Sequence, residues 1–451
     1  MFKKIILFSI ISSTLLFGGC DSSGGGSGDG GSSGSEDTTP PEAVVITGIT
    51  AGQNQINIDW TNPADSDLDH VQISWTNVSS EDIPANVQTH SITGLDSSTK
   101  YTLNLTAVDT SENSSEPVTL SISTTDGITT PAIVLIYTKE DLISIWDVKI
   151  APPGSPSIPP TAQDLENLTK SYILMSDIDL AGYNPGDNRG WIPIGTFTNK
   201  FTGKFDGNGH IIKNMYCNRR DSSFFNYTLN AEITNVHLIN VECTTDYQYS
   251  NVVGLTGYAY NTKILNSHVS GNLKTPLTDY TSHACGMVSQ LLGDSIMENC
   301  YSVVTIESGN DGAGLIRYAG GTAIIKNCYA KGSVNTGGDP QYYNAAGIVS
   351  TIEPGINCIN SYSTVQITGT AHNKGGICAF LYNGAATSQM SNCFWDTEIF
   401  NTNVQNGGTG KTTAEMTQQS TYTNWDFTSV WAIDSNINNG YPYLRNNPPV
   451  N

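Results

Sequence analysis

An asparagine recurs roughly every thirty residues along the second half of this chain, at Asn214, Asn235, Asn266, Asn299, Asn327, Asn360 and Asn392. Two positions before it stands Ile212, Ile233, Ile264, Met297, Ile325, Cys358 or Met390. Two positions after it stands Tyr216, His237, His268, Tyr301, Tyr329, Tyr362 or Phe394. About a dozen residues earlier comes a Gly followed by an apolar side chain: Gly254-Leu255, Gly286-Met287, Gly314-Leu315, Gly347-Ile348 and Gly376-Ile377. A unit this short cannot bury its apolar face alone. It has to stack on copies of itself, so the chain is bound to a repeat architecture.

The segments inside each unit are short and alternating, rich in Gly, Asn, Ser, Thr and Tyr, without the 3.6-residue pattern of helical repeats. In residues 323 to 334, "AIIKNCYAKGSV", Ile325 and Asn327 share one parity and Lys326 takes the other. Apolar residues return seven positions after the Asn, as Leu273, Ile306, Val334 and Ile367. Short strands separated by turns at a fixed period predict a parallel β-helix, with equivalent residues stacked at about 4.8 Å. Parity places the Asn on the inner side with Ile325, where stacked amides would form a hydrogen-bonded ladder. The Gly column predicts either positive φ or a close backbone approach.

The stretch Gly-Leu-Ile…Ile-Lys-Asn-Cys-Tyr-Ala-Lys-Gly-Ser-Val resembles the GLUG repeat of bacterial surface proteins. Residues 172 to 215, with "GWIPIGTFTNKFTGKFDGNGHIIKNM", are similar to the segment that opens such arrays, and residues 392 to 444 to the segment that closes them. The resemblance implies an exported β-helical protein and carries over no catalytic residue.

The front of the chain reads differently. Lys3 and Lys4 precede an apolar run from Ile5 to Phe17 that is too short to span a bilayer, then Gly18-Gly19-Cys20. This resembles a bacterial lipoprotein signal, which implies lipid attachment at Cys20 after loss of residues 1–19. Phe17 stands where that signal usually has Leu. Residues 20–38, dominated by Gly and Ser, read as a flexible tether. In residues 39–126, alternation puts Ile56, Ile58 and Trp60 on one face, then Val71, Ile73 and Trp75, then Tyr101, Leu103, Leu105 and Ala107. Together with "TPPEAV" and Leu95 six residues before Tyr101, this segment resembles a fibronectin type III domain. The resemblance implies a β-sandwich with a tyrosine corner, acting as spacer or binding module.

The chain carries 41 acidic and 20 basic residues, net −21. That balance repels phosphate backbones and argues against a nucleic-acid partner. Eight cysteines fall in the repeats, at 217, 243, 285, 300, 328, 358, 378 and 393. Cys300, Cys328 and Cys393 fill a slot also taken by Ser267 and Ser361, which favours small buried thiols over disulfides. Cys300 and Cys328 would nonetheless come within bonding range on adjacent rungs, although parallel Cβ vectors disfavour closure.

His237 and His268 occupy successive places in an aromatic column and have no third ligand at matching spacing, so no metal or cofactor is expected. "GGTGKTT", residues 407 to 413, lacks the first Gly of a phosphate-binding loop. Thr412 with Glu415 reads instead as a capping box, as do Thr138 with Asp141 and Thr161 with Asp164. The acids Asp246, Glu298, Glu307, Asp311, Asp339 and Glu353 fall in different columns, and Asp177, Asp179 and Asp206 read as strand-edge and turn residues. No acid–base pair emerges. Tyr258, Tyr260, Tyr318, Tyr342, Tyr343 and Tyr382 lie in or near the Gly-bearing turns and form a candidate binding surface; stacking within the solenoid is the alternative.

The sequence thus predicts an all-β protein: a fibronectin type III-like sandwich, then a parallel β-helix over 127–396 with short helical caps, then a C-terminal capping segment over 397–451. The expected role is non-catalytic adhesion or surface binding at the cell envelope, with the membrane engaged through lipid on Cys20 and a glycan or a host or envelope protein as ligand. A polysaccharide-active enzyme and a purely structural component are the alternatives.

Overall fold

The computed structural model describes residues 37–76, 80–127, 133–148, 159–337, 343–401 and 406–449. Cys20, the leader and nearly all of the tether lie outside the described residues, as does Tyr342. The protein is all-β, a sandwich followed by a parallel β-solenoid with few helices.

Seven strands from Val45–Ala51 to Val118–Ser123 make two antiparallel sheets, of three and four strands. The alternation is physically realised: Ile56, Ile58, Trp60, Val71, Ile73, Leu103 and Leu105 fill the space between the sheets. The Tyr101 hydroxyl accepts the Asp96 N–H at 2.9 Å, closing the corner. The sandwich docks on the first coils. Ile133, Leu135 and Met175 pack against its core. The Tyr137 hydroxyl donates to the Ile46 carbonyl at 2.5 Å, and Asn208 Nδ2 to the Thr119 carbonyl at 3.2 Å.

One coil of the solenoid shows the plan of the others. His283–Cys285 lies on face 1, Val288–Leu292 on face 2, Ile296–Glu298 on face 3 and Tyr301–Ser308 on face 4. Stacking builds parallel sheets of six, six, nine and ten strands on these faces. Pairing is in register, so that Met297 lies beside Ile325, which lies beside Cys358, all fully buried. Capping boxes at Thr138, Thr161 and Thr412 open α1 (Lys139–Ile143), α2 (Ala162–Asn167) and α3 (Thr413–Met416).

The two signature columns divide the corner chemistry between them. All seven asparagines have positive φ, from 48° at Asn266 to 60° at Asn214. This left-handed conformation is strained for most side chains and easiest for Gly and Asn. The chain therefore turns at the Asn, and inner–outer parity resets there. Ile325 and Cys328 both point into the core, while Asn327 sits at the corner between them and not on the inner face that parity predicted. Amide ladders do run along this corner: Asn299 donates to Asn266 at 3.2 Å, Asn327 to Asn299 at 3.1 Å, and Asn392 to Asn360 at 3.2 Å. At the opening end a carboxylate takes over, with Asn235 donating to Asp206 at 2.8 Å. Asn214, expected in the same column, lies on face 4 instead, because Lys213 pairs with Ile239; there it donates to Asp179 at 2.8 Å and accepts from Asn240 at 2.7 Å.

The glycines between faces 1 and 2 need no positive φ. A Cβ on Gly286 would lie 1.9 Å from the Gly314 carbonyl oxygen and 3.0 Å from Ser302 Cβ, so close approach decides this column. All eight described cysteines are free and buried. Burial pushes the Cys285 and Cys378 thiols up to about 12. Cys358 and Cys393 sit on neighbouring rungs with sulfurs 3.8 Å apart.

The C-terminal segment departs from a simple end cap. Thr409–Lys411 does add a last parallel strand beside Phe394–Asp396. The chain then doubles back along the outside of face 4 and covers the aromatic column. Tyr301, Tyr329 and Tyr362 stack at 4.6 and 5.1 Å, and Trp425, Trp431, Tyr441 and Leu444 bury them from outside. Polar pairs fix the register of this strap. Tyr362 donates to the Pro442 carbonyl at 2.7 Å, Lys331 to Asn438 Oδ1 at 2.7 Å, and Trp425 Nε1 to the Asn392 carbonyl at 3.0 Å. At its far end Asn447 is wholly buried. It lies 3.0 Å from His268 Nδ1 and donates to the Ser267 and Asn299 carbonyls.

Candidate binding face

Face 2 keeps part of its outer side open, and there, beside a largely buried face 1, the register gathers side chains that are scattered in sequence. Along face 2, strand pairing aligns Tyr227, Tyr258, Gln290, Tyr318, Thr351 and Phe380 in one column. The Tyr227 and Tyr258 rings stack at 4.2 Å with 4° between their planes, and Phe197 meets Tyr227 edge-on at 5.8 Å. Tyr260 lies one column over, and Tyr382 continues the strand of Phe380. Phe197 is 70% exposed, Tyr260 48%, Tyr382 43% and Phe380 38%. Within the column Tyr227, Tyr258 and Tyr318 are half-buried and Thr351 is buried, so the exposed rings gather at its ends and edge, a grouping that marks a contact surface. Tyr258, Tyr260 and Tyr318 lie on strands, because face 2 begins immediately after the Gly–apolar pair, while Tyr382 lies just past the end of Cys378–Leu381.

Beside this column runs a polar ledge on face 1. The residue three before each signature Gly is Asn251, His283, Asp311, Asn344 or Asn373, and Asp221 starts the row. Asn251 Nδ2 bridges Asp221 (3.2 Å) and the Tyr258 hydroxyl (3.1 Å), while its Oδ1 accepts from Ser289 at 2.8 Å. Arg317 Nε lies 3.4 Å from the Ser289 hydroxyl, and its Nη1 lies 3.9 Å from Asp311. Asp311 also accepts the Asn344 N–H at 2.9 Å, and Asn373 donates to Asn344 at 2.8 Å. Sequence reading placed Asp311 and Glu353 in different columns. The missed signal was the uniformly polar position three before each Gly.

Burial governs the electrostatics of the ledge. It raises the Asp311 carboxyl above the usual carboxylate range, against the lowering effect of the Asn344 and Arg317 contacts. Burial, then Arg317, lowers His283 to about 3, so this ring is neutral at pH 7. Burial and a hydrogen bond to Glu353 push the Tyr318 hydroxyl up to about 12, keeping it a donor. The face therefore offers amide, hydroxyl and guanidinium groups beside flat rings, which suits recognition of a hydroxyl-rich surface.

The remaining candidates lie elsewhere. Tyr343 is in the connection from face 4 to face 1, where its carbonyl accepts the His372 N–H at 2.9 Å. His237 and His268 stack at 4.4 Å at the head of the aromatic column, and His268 stacks on Tyr301 at 4.5 Å. Burial first, then His237, lowers His268 to about 3, against the raising effect of Asn447. Within "GGTGKTT", Lys411 pairs with Glu415 at 3.0 Å, and no anion-binding loop forms. In the sandwich Asp37, Asp67 and Asp109, from which sequence reading expected no metal, bring carboxylate oxygens within 4.8 Å of one another. A hydrogen bond to Asp65, then burial and Asp37, push Asp67 up to about 6. Oxygen donors of this kind suit a hard cation, but three carboxylates fall short of the six to eight ligands calcium takes.

His268 gives a pH prediction. Its folded value is depressed, so the stability it supports is present above the unfolded value near 6.5 and is lost as pH falls towards 3. His268→Phe, a residue the column already carries at Phe394, should remove about one proton of linkage. The slope of stability against pH between 6 and 4 should then flatten by about 1.4 kcal/mol per unit. Urea melts across that range check it, and an unchanged slope would mean that the imidazole is not buried.

Comparison with known proteins agrees with the N-terminal sandwich. The model of the fibronectin type III domain matches residues 39–121. A candidate Gly-rich membrane protein of Evansella cellulosilytica is 31% identical over 117 residues, 24% of this chain and 13% of that protein. The chain thus spans about an eighth of the relative's length. Among solved structures, a candidate immunoglobulin A1 protease from Bacteroides ovatus is 21% identical and covers 70% of this chain and 93% of its own, with a TM-score of 0.46. The chicken CNTN1 FN1–FN3 domains are 15% identical, over 19% of this chain and 33% of theirs, with a TM-score of 0.18. Among the described residues, no helix is long and apolar enough to cross a membrane.

Proposed function

We propose that this protein is a lipid-anchored component of a bacterial cell envelope whose GLUG-type solenoid binds a ligand without transforming it. The observation that carries the reading is the partly exposed aromatic column of face 2 with its ordered polar ledge. Supporting a binding role over a catalytic one, Asp311, the most deeply placed acid of the ledge, is already engaged by Asn344 and lies close to Arg317 and His283. Support for the anchor comes from the Gly-Gly-Cys20 sequence after a short apolar run. The Evansella relative is itself named a membrane protein. Ligands of the proposed class are glycans and host or envelope proteins.

Two arms of one experiment test this. The full chain, expressed in a bacterium supplied with labelled palmitate, should take up label, and Cys20→Ala should not. Detergent-extracted protein should then give selective binding on glycan and protein arrays, with no release of reducing or unsaturated sugar ends. Label retained by Cys20→Ala would remove the anchor. Sugar release abolished by one carboxylate substitution would make the protein an enzyme.

A further inference from the structure

We infer that the outer column of face 2 is a track for an uncharged glycan chain lying along the solenoid axis, with Tyr258 and Tyr318 as contact positions and Gln290 between them. The inference rests on the binding reading above and names its ligand class and site. From the rung of Tyr227 to that of Phe380 there are five steps, and at about 4.8 Å per step the track is about 24 Å long. The step is close to the length of one pyranose in an extended chain. Successive sugars would thus meet successive rungs in similar surroundings.

The side chains divide the work of recognition. The Tyr227 and Tyr258 rings stack on each other along the axis and turn their edges outward, while Phe380 and Tyr382 at the other end, both exposed, offer apolar surface for the C–H faces of sugar rings. Gln290, between them, carries both a donor and an acceptor for ring hydroxyls. The hydroxyls of Tyr258 and Tyr318 are tied to Asn251 and Glu353, which holds the rings in place before a ligand arrives. Charge selects among glycans: a chain of net −21, with Glu353 on the track, repels polyuronates and sulfated chains. The track is poor in aliphatic side chains, which favours a glycan over a protein partner, whose interfaces need a broad apolar core.

The test is titration calorimetry on the detergent-solubilised full chain with uncharged oligosaccharides (β-1,4-linked glucose and N-acetylglucosamine series), lengthening from disaccharide to octasaccharide. Affinity should rise with length and level off once the oligomer spans the track. Tyr258→Ala and Tyr318→Ala should each weaken binding about tenfold or more. Phe at either position should retain most of it, because the ring stays. Tyr216→Ala, on face 4, should change nothing, and matched thermal melts would show that all variants are folded. Equal binding of a polyuronate of the same length would overturn the charge argument. Unchanged affinity in both alanine variants would overturn the site while leaving the binding reading standing. Array binding confined to proteins would overturn the ligand class, and no selective ligand of either class would take the proposed function down with it.

Discussion

Trp431→Ala is expected to lower the stability of the protein by about 3–5 kcal/mol, the range for deleting a large buried aromatic side chain. Trp431 is wholly buried although it lies outside the solenoid's own core. Its ring centroid is 4.4 Å from that of Trp425, 6.1 Å from Tyr362 and 6.3 Å from Tyr329. Removing it breaks the cluster that seats the strap, so the loss should be local at first. In the variant, protease should cut within residues 406–449 before the solenoid melts, and a dye that binds apolar surface should detect the uncovered tyrosines. Guanidinium melts give the magnitude. A loss below about 1 kcal/mol would mean that the strap is peripheral and that the aromatic column stands without it.

Exchanging residues between the two corner columns should give the second large effect. Gly286→Ala places a Cβ 1.9 Å from the Gly314 carbonyl oxygen, and backbone cannot yield without moving a whole rung. A loss of about 3 kcal/mol or more is expected, at the upper end of overpacking effects. Asn299→Ala should cost about 2 kcal/mol, because it forces Ala to a φ of 55° and removes two ladder bonds. Asn299→Gly should cost only about 1 kcal/mol, since Gly accepts that φ and only the bonds are lost. Denaturant melts of the three variants should return that order. If Asn299→Gly proved as harmful as Asn299→Ala, the ladder and not the backbone conformation would explain the column.

Much of this fold was legible because a repeat states its constraints many times. The buried faces of the sandwich strands, the tyrosine corner, the parallel stacking and all three capping boxes follow from alternation and local hydrogen-bonding chemistry. The role of the Asn column was only half legible. Parity along "IIKN" predicts an inner position, but parity holds only while backbone torsion is constant, and a left-handed residue ends that constancy. The binding face was legible in its residues and not in its arrangement. Tyr258 and Tyr318 were singled out from composition near the Gly turns, whereas Asp311 and Glu353 were taken as scattered.

By itself, then, the sequence determined the class of fold, the stacking axis and the chemistry of each column, because periodic burial and local turn preference are written residue by residue. Tertiary structure decided what lies beside what. Asn447 is brought to His268 from 179 residues away. The strap covers face 4, the sandwich docks on the opening coils, and face 2 is left open. No period in the chain encodes those choices. They are made by which apolar surface remains unburied after the coils have stacked, and by which later segment carries the aromatic side chains to cover it.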